Sequence, residues 1–213
     1  MLDFLSENML RDDKTWYKEH RDDFKRLVEA PMKEFTDTVT GYVQKVDKNI
    51  DQIHISRIFR DARRLRGRSY FRDNMWVSFG RVQDLYKSLP AFYFDISPKG
   101  AEYGFGYYVP PSEAMAAMRN MIISGSPLYS SAKKWFKKQK EFVIYGDLYK
   151  RDRFPDASEE DKNFLNRRNI GITAFSENWE DIFSDGYADK IGKHLESAKP
   201  FYDFIMAAAL MGE

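Results

Sequence analysis

The sequence predicts an α+β domain built on a mainly antiparallel sheet, and three observations carry that prediction. Apolar residues recur at spacings of three and four near both ends of the chain, the mark of helices with one buried stripe. Two aromatic, β-prone runs at 91–96 and 103–109 are joined by Ser97-Pro98-Lys99-Gly100, which reads as a central β-hairpin packed against N-terminal and C-terminal helices. Strand-like segments cluster in the middle and toward the end without a regular strand–helix alternation, which disfavours a doubly wound parallel sheet.

Taken in order, residues 2–10 read as a short helix, and Asp12 or Asp13 is placed to cap the next one. Trp16, His20, Phe24, Leu27 and Val28 form one apolar stripe. Pro31 then predicts a kink or break near residues 29–30, because it lacks an amide and its ring clashes with the preceding turn. Met32, Phe35, Val39, Tyr42, Val43 and Val46 mark a second helix. Residues 53–58 alternate as a strand that includes Arg57, and 75–79 suggest another. Beyond the hairpin, Pro110-Pro111-Ser112-Glu113 opens a helix and Ser126-Pro127 opens the next, running to Lys138. A strand is expected at 141–145, a polar irregular stretch at 146–158, a helix at 158–165 and a last strand at 169–175. Short helices around Pro200 close the chain.

No repeat, linker or low-complexity tract interrupts the 213 residues, so a single domain spanning 1–213 is expected. Seventeen Phe, 13 Tyr and 4 Trp, each able to bury roughly 150–250 Å², provide for a sizeable core. The net charge is +1, which sets up no global field for nucleic acid or a membrane surface. Absence of cysteine removes disulfides, thiolate metal sites and Cys nucleophiles, and suits a reducing cytoplasm, the expected location. The opening MLDFLSENML resembles no signal peptide, and no apolar run is long enough to span a membrane.

The strongest local anomaly is arginine. Seven fall within residues 57–72, in a chain whose charges otherwise balance. A guanidinium fork suits bidentate pairing with phosphate or carboxylate, Gly67 gives the backbone freedom to gather several forks, and Asp61 is placed to orient a neighbour. The competing reading is that these arginines pair with the protein's own acids or solvate a long loop. Elsewhere, Gly104 and Gly106 leave one face of the second hairpin strand smooth, best explained by close helix packing. His20, His54 and His194 show no metal-ligand spacing, and no P-loop, nucleophile elbow or dinucleotide fingerprint is present. No metal and no cofactor is therefore expected. The lysines around Trp135 and Phe136 read as the wet face of a helix.

Four segments in the same order along the chain resemble an uncharacterised, mainly bacterial family, domain of unknown function 2461. They are Phe4-Leu5 with Trp16-Tyr17, Arg57-Ile-Phe-Arg60-Asp61-Ala-Arg63, the hairpin 93–110 followed by Arg119, and Pro200-Phe-Tyr-Asp-Phe. After Arg63 the family pattern continues Phe-Ser-x-Asp-Lys-x-Pro-Tyr-Lys. This chain instead has Arg64, Leu65, Gly67, Arg68, Tyr70, Phe71 and Arg72 in that stretch, losing an acid, a proline and a tyrosine hydroxyl. A family activity that uses those groups would be altered here, and the resemblance implies no established activity.

The leading expectation is an anion site, for a phosphorylated small molecule, formed by Arg57, Arg60, Arg63 and Arg68, oriented by Asp61 and joined by Arg119. A second is a hydrolase or transferase acting on a phosphoester, with Asp61, Asp95 or Tyr107 as base or nucleophile. A third is a protein interaction module with no small-molecule site. Nucleic acid is the less favoured partner, no membrane is expected, and catalytic residues, enzyme status and oligomeric state are left open.

Overall fold

The computed structural model describes residues 1–61, 63, 65, 67–82, 89–107 and 109–211. It is α+β, with one open antiparallel sheet of six strands in the order β1-β2-β3-β4-β6-β5. The strands are β1 (Gln52–Ile55), β2 (Met75–Gly80), β3 (Ala91–Ser97), β4 (Gly100–Gly106), β5 (Val143–Tyr145) and β6 (Gly171–Ser176). The predicted hairpin is β3–β4, in register from Ala91 opposite Gly106 to Ser97 opposite Gly100. Its second strand starts and ends three residues earlier than the sequence suggested, because Gly100 (φ 142) makes the turn and pairs at once.

The N-terminal helices are α1 (Leu2–Arg11), α2 (Lys14–Glu19) and α3 (Arg21–Phe24), with Asp13 capping α2 by accepting from the Thr15 amide. The helix does not break at Pro31. It widens into a π-helical turn at Lys25–Glu29 and continues as α4 (Ala30–Val46). The wider turn relieves the clash between the Pro31 ring and the Leu27 carbonyl four residues back. Then follow α5 (Ser112–Ile123), α6 (Pro127–Lys138), α7 (Glu159–Leu165), α8 (Trp179–Ile182), α9 (Tyr187–Ser197) and α10 (Lys199–Met211).

Alternation of side chains divides the sheet into two faces. Val77, Phe79, Phe92, Phe94, Tyr103, Phe105 and Ile172 point into the core, which α10 completes with Phe201, Tyr202 and Phe204. The opposite face carries Trp76, Ser78, Tyr93, Asp95, Glu102 and Thr173, half-buried or exposed. The Tyr93 hydroxyl contacts Glu102 (2.8 Å) and Thr173 (2.7 Å) there. The smooth strip at Gly104, Gly106 and Gly171 lies on this face. What closes over it is the ring of Tyr145 and the backbone of β6, not a helix: a Cβ at Gly106 or Gly171 would run into them.

A buried ion pair ties the ends of the core together. Asp47, just past α4, accepts from Arg81 Nε (2.6 Å), the Tyr202 hydroxyl (2.6 Å) and the Asn49 amide (3.0 Å). Among the described residues, no helix is long and apolar enough to cross a membrane.

Candidate functional site

The arginine-rich segment is the connection between β1 and β2. The β1 ladder stops at Ile55, so Arg57 lies outside the strand that the alternation predicted. Ser56 ends the pairing: its amide donates to the Trp76 carbonyl (2.7 Å), while its hydroxyl accepts from the Trp76 amide (2.9 Å). Beyond it the chain forms a narrow arm. Arg72 N donates to the Ile58 carbonyl (2.7 Å), Arg60 N to the Tyr70 carbonyl (2.8 Å), and Phe59 bridges Phe71. Gly67 (φ 78) turns the tip, a left-handed conformation that glycine adopts without a Cβ clash. The base of the arm is held by the residue just past α1, since the Asp12 carboxylate accepts from the Phe71 amide (3.1 Å). Lys14 also lies 4.2 Å from the Tyr70 ring centroid.

Under the arm is a cleft of about 470 Å³, walled by Arg57, Arg60, Asp61, Arg63 and Arg72, with Tyr70, Phe59, His54, Ser56 and Trp76. The four guanidinium groups are not equivalent. Arg60 serves the arm itself: it donates to the carbonyls of Ser69 (3.1 Å) and Phe71 and lies 3.6 Å from Asp73. Arg63 is clamped by Asp61, with contacts of 2.9 and 3.2 Å, and that hydrogen bonding raises its pKa. Arg57 is exposed and has no hydrogen-bond or ion-pair partner among the described residues. Arg72 buries its Nε with no hydrogen-bond partner among the described residues. Desolvation lowers its pKa, the positive charge of Arg60 lowers it further, and Asp95 opposes both. A guanidinium held between burial and a like charge gains from any anion that reaches it.

Of the six residues predicted to form a site, Arg57, Arg60, Asp61 and Arg63 come together. Arg68 is exposed near the tip and does not line the cleft. Arg119 is spent elsewhere, donating to the carbonyls of Leu165 (3.1 Å) and Arg167 (2.7 Å) and to the Tyr149 hydroxyl (2.9 Å), which fastens α5 to the 146–168 segment. Arg64 and Arg66 lie outside the described residues, as does Tyr108. Nothing in the sequence pattern singles out Arg72, His54 and Trp76 as members of the site. Arg72 belongs to the arginine run, but only strand register brings His54 and Trp76 beside it.

The three candidate acid–base groups separate as clearly. Tyr107 donates its hydroxyl to the Ile205 carbonyl (2.9 Å) and is buried in the core. Asp61 is engaged with Arg63. Asp95 sits on the open sheet face opposite Trp76, accepting from Asn74 (2.5 Å). Burial raises its pKa against the hydrogen bond from Asn74, and Glu102 and Asp73 add to the rise. The histidines lie apart: His20 stacks on Trp16 (4.2 Å), His54 packs near Trp76 (5.3 Å), and His194 pairs with the Tyr103 hydroxyl (2.6 Å).

Comparison with known proteins yields no matching curated sequence and no matching solved structure. A sequence profile does match, covering residues 1–204 and therefore nearly every element described above. The chain belongs to the conserved hypothetical family designated domain of unknown function 2461 (DUF2461).

Proposed function

We propose that the cleft beneath the 57–72 arm binds an anionic small molecule, most simply a phosphate monoester. The observation that carries this is the surplus of charge: among the described residues four arginines wall the cleft, Asp61 and Asp73 pair with one each, and neither Arg57 nor Arg72 has a side-chain hydrogen-bond or ion-pair partner. A phosphate monoester carries about −1.5 to −2 charge at neutral pH and three acceptor oxygens, which matches that surplus in sign and size. Arg60 keeps the arm in place and Arg63 is oriented by Asp61, so the ligand's own contacts fall to Arg57 and Arg72.

The test is a thermal-shift and calorimetric titration with inorganic phosphate, glycerol 3-phosphate and adenosine monophosphate, on wild type and on Arg57→Ala. Arg57 is exposed and makes no side-chain hydrogen bond or ion pair among the described residues, so the unliganded variant melts with wild type. Loss of one charge-assisted contact weakens binding roughly tenfold or more. Equal affinity in the two proteins, or no binding of any of these anions, refutes the proposal. Arg60→Ala is the poorer probe, because it also strips two carbonyls of the arm of their donor.

Asp95 supports a second reading, turnover of the phosphoester. Its carboxyl is half-buried, raised in pKa and electrostatically coupled to Arg72, the combination expected of a general base beside an anion site. Hydrolysis of p-nitrophenyl phosphate that disappears in Asp95→Asn, with phosphate binding retained, is the expected outcome. Phosphate binding without any turnover in wild type leaves the binding function alone.

A further inference from the structure

We propose that a second cleft, between α4, β3 and the α8–α9 turn, binds an organic ammonium ion of the quaternary or alkylated kind. Its volume is about 390 Å³, within the range of small-ligand pockets. The floor is aromatic: Phe35 lies 4.1 Å from Phe94, and Tyr187 lies 6.4 and 6.3 Å from those two ring centroids. Around it stand three carboxylates, Glu34, Asp185 and Asp189, and among the described residues no lysine or arginine lines the cleft. Asp189 accepts from the Tyr42 hydroxyl (2.7 Å), whereas Glu34 and Asp185 have no hydrogen-bond or ion-pair partner among the described residues. Met1, whose amino group carries a positive charge, also borders the cleft.

This is a different chemistry from the arginine cleft. An aromatic face attracts a cation through its quadrupole, and three carboxylates against a single amino group leave the mouth net negative, which concentrates positive ligands there. Alkylation suits the apolar floor, because an alkylated ammonium sheds its water more readily than a primary one. The same wall holds the π-helical turn that accommodates Pro31. Leu27 belongs to the π-helical turn at Lys25–Glu29, and Pro31 follows it by four residues; both line the cleft. Such widened turns are frequent at functional sites.

Calorimetric titration with choline, tetramethylammonium and the uncharged choline isostere 3,3-dimethylbutan-1-ol tests the assignment. Choline is expected to bind at least about tenfold more tightly than the neutral alcohol, the difference a desolvated cation–π contact and a nearby carboxylate supply. The double variant Glu34→Gln/Asp185→Asn loses most of that preference while melting with wild type, since both side chains are exposed and unpartnered. Phe35→Leu, which keeps the floor apolar, weakens both ammonium probes and spares the alcohol. Equal binding of choline and the alcohol, no saturable binding of either ammonium ion, or choline binding that is unchanged in the double variant overturns the proposal. Arg57→Ala leaves choline binding untouched, so this result and the anion result stand or fall separately.

Discussion

Replacing Asp47 by alanine tests how the ends of the core are joined. The carboxylate is 4% exposed and holds Arg81, Tyr202 and the Asn49 amide at once. Removing one member of a buried pair costs about 3–5 kcal/mol, because the partner charge stays behind without its counterion. Arg81 is 22% exposed and recovers some hydration, which favours the lower end of that range. Tyr202 recovers none at 2% exposure, and its stranded hydroxyl adds roughly 1 kcal/mol or more. A loss of about 4 kcal/mol follows, equivalent to a fall in Tm of roughly 8–16 °C for a chain of this length. Differential scanning calorimetry at neutral pH measures it. The effect also has a pH signature. Burial pushes the Asp47 carboxyl up, but hydrogen bonds from Arg81, Tyr202 and Asn49, with the Arg81 charge, outweigh it and hold the group below the usual carboxylate range. A folded pKa below the unfolded value means that the stabilisation is complete above about pH 4 and is lost as pH falls through the folded pKa. Asp47→Ala should lack that acid-dependent part. A Tm within about 3 °C of wild type would refute the reasoning, showing that water replaces the carboxylate at little cost.

Two further outcomes are expected from the same physics. Burial lowers the pKa of His194, Lys190 lowers it further, and Glu141 and Asp181 oppose the shift. The unfolded chain therefore binds the proton more readily, and urea-unfolding free energy should be flat above about pH 7 and fall as pH drops from about 6.5 through the folded pKa, a slope that His194→Gln removes. Gly171→Ala drives a methyl into the Tyr145 ring, and Gly106→Ala meets β6 backbone as well. Each should cost about 1–3 kcal/mol. Adding Tyr145→Ala should relieve the first and not the second, a non-additivity that chemical denaturation reads directly.

Local chemistry made much of the architecture legible. Ser97-Pro98-Lys99-Gly100 announced the hairpin, and Pro127 with Ser126 announced the start of α6. Where local reading slipped, a contact from elsewhere was responsible. Arg57 continues the alternation of β1 on paper, yet Ser56 diverts the ladder by bonding both ways to Trp76, a residue twenty positions on. Pro31 signals a kink or a break, and the helix instead stays continuous through a π turn. The glycines of β4 promised a close approach, but not by the expected helix: the ring that fills the space belongs to Tyr145 on an edge strand.

The arginine run shows the same division. Composition and spacing were enough to mark residues 57–72 as abnormally basic, because charge density is a property of the chain. Whether a given guanidinium is free depends on its neighbours in space. Arg60 closes on Ser69 and Phe71, Arg63 on Asp61, and Arg119 on carbonyls around Leu165, while Arg57 and Arg72 are left open. Periodicity reports which way a side chain faces within its own helix or strand. Convergence of distant side chains is set by strand register and loop path, and these follow from contacts between segments that no short stretch of sequence contains.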